Sequence, residues 1–138
     1  MKHRREKDQY VVILDKGDEI VETLTGFVAG HGLEGGLIRG IGGVTGVTLG
    51  YFDVDGKEYL RKEFKGFYEL AALTGDISLV DGKPFCHLHA VISDAEMNCW
   101  AGHLFGAAVS VTAEIIITLG EKAVRRFDEN IGLNLIEL

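Results

Sequence analysis

The sequence predicts a single domain built on a largely antiparallel sheet of about seven to nine strands, with one helix near its start. Three observations carry this. The chain has 138 residues, 46% hydrophobic and 25% charged, the size and balance of one ordinary globular core. Apolar runs rich in β-branched residues recur along it, separated by Asp-Gly and Gly-Asp breaks. Only the stretch after Asp18 repeats its apolar residues at helical spacing.

Taken in order, the basic run Lys2, Arg4, Arg5 and Lys7 is expected to be a solvated, frayed tail, which places a tail at residues 1–8 and the domain at 9–138. Tyr10 to Leu14 reads as a buried strand bounded by charge. The helix follows, capped by Gly17 or Asp18, with early acidic residues suiting its positive end. Ile20, Leu24, Phe27, Val28 and His31 share one face, and Gly32 can end the helix in the left-handed conformation. His31 is therefore read as a helix-end residue rather than a metal ligand.

Seven glycines fall between Gly35 and Gly50. A nucleotide-binding loop would need a Gly-Lys-Ser/Thr ending and a helix after it, and neither follows. Strands with tight glycine bends or bulges fit better. Val44 to Asp53 alternates as a strand, Asp55-Gly56 turns, and Glu58 to Phe64 returns. Phe67 to Val80 reads as one or two strands, with Gly75-Asp76 as the break. Asp81-Gly82 marks a second strong turn. Two histidine-bearing strands come next, then the long β-like run Ala108 to Leu119, and a short last strand at Gly132 to Ile136.

His87, His89 and His103 carry the chemistry. Residues two apart in a strand point to one face, so His87 and His89 can share a metal ion. Ser93 to Met97 is a plausible turn. Centred on Ala95, it sets His87 opposite His103 and His89 opposite Ala101, within reach of one another. A slip of one residue would move His103 to the other face and break the site. Imidazole suits Zn, Cu, Fe and Ni. Three neutral histidines with an open position resemble a catalytic zinc site more than a closed structural one. Zinc is the first expectation and another transition metal the second. The competing reading is three hydrogen-bonded histidines in a sheet.

The two cysteines, Cys86 and Cys99, fall on opposite faces in this register, which predicts two free thiols. Cys99 is on the histidine side and is read as a spectator rather than a fourth ligand. The net charge of −7 opposes binding to a phosphate backbone. No apolar run reaches the roughly 18 residues of a membrane-spanning helix, and no apolar signal core follows the basic start. A cytoplasmic protein without a membrane partner is expected.

These motifs together resemble the plants-and-prokaryotes conserved (PPC) domain family. The likeness spans roughly Tyr10 to Leu135. It rests on Gly40-Ile41-Gly42 with Val44 and Val47, Gly66-Phe67-Tyr68-Glu69-Leu70, His87-Leu88-His89 with Ser93-Asp94, Gly102-His103-Leu104, and Thr112-Ala113-Glu114-Ile115. It implies an α+β fold assembling as a homotrimer, with His87, His89 and His103 as ligands in members that hold zinc. The segment around Phe67 resembles a plant Gly-Arg-Phe-Glu-Ile-Leu segment used for partner contacts, but Phe67 stands where an arginine appears. No Arg-Gly-Arg-Pro AT-hook occurs, so direct DNA binding loses its main physical support.

Three functions follow as expectations. The first is a homotrimeric metal-binding protein of undetermined activity, with Glu69, Glu114 and Arg39 as catalytic candidates by motif position. The second is a DNA-associated or regulatory protein, as among plant relatives. The third is a small-molecule binding module or metal-dependent hydrolase at a trimer cleft, where Arg39 could grip an acid group.

Overall fold

A computed structural model describes residues Met1–Glu137. Among the described residues there are eight strands and one helix, in the order β1 (Lys2–Glu6), β2 (Gln9–Asp15), α1 (Ile20–Gly30), β3 (Gly36–Asp53), β4 (Glu58–Val80), β5 (Lys83–Ser93), β6 (Cys99–Leu119), β7 (Val124–Asp128) and β8 (Leu133–Glu137). The strands run in the order β1-β2-β6-β3-β4-β7-β8, antiparallel except for β4 with β7. β5 pairs with both β4 and β6, so β3, β4, β5 and β6 close into a circuit.

Alternation decides which side of this circuit is dry. Val12, Leu14, Ile38, Leu73, Leu88, Ile92, Leu104, Ile115 and Ile117 point inward and are buried. α1 seals them with Ile20, Leu24, Phe27 and Val28, packed on β5 and β6. Each such side chain contributes roughly 1.5–3 kcal/mol on leaving water.

The helix is capped by Glu19, not by Gly17 or Asp18. Its Oε2 accepts from the Glu22 backbone N–H at 2.6 Å, while Oε1 accepts from the Ala107 N–H at 2.8 Å on β6. A longer side chain wins because it satisfies a helix donor and a sheet donor together. The far end is as expected. Gly32 has φ +62°, and the Leu33 N–H reaches back to the Val28 carbonyl in a Schellman closure. His31 sits at the C-cap, its Nδ1 2.8 Å from the Phe27 carbonyl.

Two further sequence expectations need correction. The basic run expected to fray forms β1, paired with β2 from Lys2↔Ile13 to Glu6↔Gln9. Its charged residues suit an exposed sheet edge. The break expected at Gly75-Asp76 does not occur, and β4 runs unbroken through both. Finally, β7 is a strand that the sequence reading passed over.

The glycine-rich segment is strand, as expected, with register shifts between Gly40 and Gly42 and between Thr45 and Val47. Bulges of this kind bend a long strand. Gly42 also has a packing reason. A Cβ there would lie 2.7 Å from the Ala113 Cα on β6, so only glycine allows that approach.

Candidate metal centre

The histidines stand on the outer face of the β5–β6 ladder, opposite the buried Cys86, Leu88, Ala90 and Ile92. His89 pairs directly with His103, rather than with Ala101 as expected. The turn is centred on Glu96 instead of Ala95, because Asp94 organises it. Asp94 Oδ1 accepts from the N–H groups of Glu96 (2.9 Å) and Asn98 (3.0 Å), and Met97 takes φ +64°. This moves the ladder by two residues, which leaves every side chain on its expected face.

Ring centroids are 5.1 Å apart for His87 and His89, 5.2 Å for His87 and His103, and 5.4 Å for His89 and His103. One nitrogen from each ring can be chosen so that all lie within 4.8 Å of one another. His87 and His103 are half-buried and His89 is exposed. His103 Nδ1 is buried with no hydrogen-bond partner. Three imidazoles, each with a nitrogen within 4.8 Å of the other two, form the donor set a transition-metal ion takes, so the residues fit such an ion.

Burial favours the neutral imidazole at His87 and His103. It pushes His103 down to about 4, with His87, His89 and Arg61 adding to the effect. Burial and then the Arg125 cation lower His87, against the opposing charge of Asp76. Neutral imidazole is the metal-binding form.

A polar support lies behind His87. Asp76 is its cross-strand partner on β4, with Oδ2 3.5 Å from His87 Nδ1. Arg125 comes from β7, its side chain only 9% exposed. Its Nη2 donates to both Asp76 oxygens, at 3.0 and 2.8 Å, and lies 3.2 Å from His87 Nδ1. Its Nε donates to Ser78 Oγ at 2.9 Å, and Nη1 donates to the Asn134 carbonyl at 3.1 Å on β8. A guanidinium can only donate to His87 Nδ1, and a carboxylate can only accept from it. Binding a metal through Nε2 would place the proton on Nδ1, facing Asp76.

Sequence reasoning missed this support. Asp76 was within reach, since counting outward from the two-residue turn Asp81-Gly82 sets it opposite His87. Arg125 was not, because its short strand joins β4 in parallel and no local pattern announces that pairing.

The other candidates lie elsewhere. Arg39 and Glu114 line a shallow depression of about 400 Å³ with Val11, Ile13 and Ile41. Glu69 lines another beside Phe67, Ser93 and Asp94. Within one chain the structure does not bring these three into the histidine cluster. Both cysteines are free, Cys86 buried and Cys99 exposed. Cys99 is not in the cluster. No helix among the described residues is long and apolar enough to cross a membrane.

Fold and site together define a small antiparallel-sheet protein with a three-histidine cluster on its outer face. Residues 1–120 match the Plants and Prokaryotes Conserved (PCC) domain, and the chain belongs to that family. It is 34% identical to the plant- and prokaryote-conserved protein of Pyrococcus horikoshii, covering 99% of this chain and 94% of that one, with a TM-score of 0.88. It is likewise 34% identical to a metal-containing protein of Archaeoglobus fulgidus, covering 99% and 97% of the two chains, with a TM-score of 0.86. A Bacteroides thetaiotaomicron protein, described as a "putative dna binding protein", is 29% identical with a TM-score of 0.95, covering 99% of this chain and 96% of its own. No curated protein sequence matches the chain.

Proposed function

We propose that this chain is a metal-binding protein in which His87, His89 and His103 hold one transition-metal ion, zinc first, with a coordination position left open. The observation that carries the reading is the convergence of three imidazole nitrogens, one from each of His87, His89 and His103, within 4.8 Å of one another. The similar Archaeoglobus protein, described as metal-containing, supports it. Such an ion would supply Lewis acidity toward a carbonyl or phosphoryl oxygen, which makes a metal-dependent hydrolase the activity to screen first. The test is metal content by inductively coupled plasma mass spectrometry on tag-free protein, beside the His87→Ala/His89→Ala variant. About one zinc per chain is expected, and none in the variant. Equal metal in both would sink the reading.

The chain is further proposed to assemble as a homotrimer in the cytoplasm. Support for assembly comes from exposed apolar residues on the outer sheet face, with Leu37 64%, Ile41 55% and Val111 73% exposed. Isolated monomers seldom leave such a face open. Analytical ultracentrifugation is expected to give three times the 15.1 kDa chain mass. Ile41→Asp, which sets a charge in that face, should shift the mass toward one chain. A monomeric wild type would refute the assembly.

DNA association remains the second reading. The description of the Bacteroides protein favours it, as does the basic edge strand β1 with Lys2, Arg4 and Arg5. The net charge of −7 opposes it.

A further inference from the structure

Building on the metal reading, we propose that the three-histidine site binds a small organic carboxylate, held between the histidine cluster and the guanidinium of Arg61. Gly50 on β3 pairs with Arg61 on β4 and with His103 on β6. The three form one row across the sheet, so the two side chains rise from the same face about 10 Å apart, two strand spacings. Gly50 adds no side chain between them. A Cβ there would run into the rings of Phe105 and Tyr59, which lie directly over Gly50 and floor the span between the two ends.

Phe105 joins the two ends. Its ring centroid lies 4.7 Å from that of His103, and the Arg61 guanidinium carbon sits 3.7 Å from it. Stacking fixes the cation beside the cluster while leaving its N–H edge open. Among the described residues no carboxylate comes within 4.0 Å of Arg61, and no side-chain hydrogen bond uses it.

The charge balance asks for an anion. Three neutral imidazoles leave a divalent ion with its full charge. Asp76, the carboxylate touching the cluster, is already neutralised by Arg125. Arg61 adds a further positive charge. In a chain whose net charge is −7, this is a local excess of the opposite sign. A planar carboxylate matches the fork of a guanidinium, and the faces of Tyr59 and Phe105 suit the apolar part of an organic acid. Tyr59 lies 4.9 Å from His103, ring to ring.

The test uses the full chain loaded with Co²⁺, whose visible absorption reports changes at the metal. Benzoate, acetate and inorganic phosphate are titrated separately against wild type, Arg61→Gln and Lys62→Gln. Lys62 is the neighbouring cation on the alternate face of β4 and serves as a charge control. Benzoate is expected to shift the spectrum and bind more tightly than phosphate. Arg61→Gln should weaken benzoate at least tenfold, with Lys62→Gln unchanged. Equal benzoate affinity in wild type and Arg61→Gln, or tighter binding of phosphate, overturns the inference while the metal reading stands. Failure of the wild type to take up Co²⁺ overturns both.

Discussion

Replacing Gly75 with alanine is expected to lower the unfolding free energy by about 3 kcal/mol, at the upper end of the usual range for overpacking, and to weaken metal binding at least tenfold. Gly75 lies in β4 opposite Leu88. A Cβ there would overlap the His87 carbonyl oxygen and stand 2.9 Å from Leu88 Cδ2. The oxygen is backbone in a paired strand and cannot swing aside as a side chain would. β5 must part from β4, and His87 and His89 move with it. Gly26→Ala provides the contrast. Nothing lies within 4 Å of its added Cβ in the middle of α1, so a gain of roughly 0.5–1 kcal/mol is expected there. Urea unfolding at fixed protein concentration, followed by circular dichroism, checks both. A wild-type midpoint for Gly75→Ala would mean that the β4–β5 contact yields more easily than its geometry allows.

His103→Phe is expected to separate stability from function. The metal-free protein carries His103 Nδ1 buried and unpartnered, a burden of about 1–3 kcal/mol for a polar group of this kind. Phenylalanine removes that burden and still packs against Tyr59 and Phe105. The metal-free variant should therefore be at least as stable as wild type, yet bind no metal. The pH dependence follows the same residue. Its folded value is pushed down to about 4 from an ordinary 6.5. Between those values the unfolded chain holds the extra proton, so stability is full above pH 6.5 and is lost as pH falls toward 4. In chelator-treated protein, His103→Phe should lose less melting temperature than wild type between pH 7 and pH 4.5. A variant less stable than wild type at both pH values would show that the imidazole is well satisfied.

How far the sequence could be read depended on the range of the interactions. Strands such as Tyr10 to Leu14 were legible because alternation and β-branching are local, and the helix end at Gly32 because one backbone conformation favours glycine. The shared face of the three histidines was legible because it depends only on parity. The two-residue error in the turn did no harm for the same reason. The cap at Glu19 was not legible, since its second acceptor oxygen is used by Ala107, far along the chain. The Arg125 support was hidden for a similar reason, and β1 was misread because a charged run can be an edge strand once a partner strand is present. Composition cannot announce that partner.

β5 has a neighbour on each side, β4 and β6, so the backbone at His89 is held by two hydrogen-bonded ladders and that at His87 by the β4 ladder. On the proposed metal reading, an arriving ion would find its cage already built, with little chain left to order. Loading and stripping would then act as exchange at a rigid socket. A chelator would empty the socket and leave the fold standing, unlike the small zinc domains whose structure dissolves with their metal.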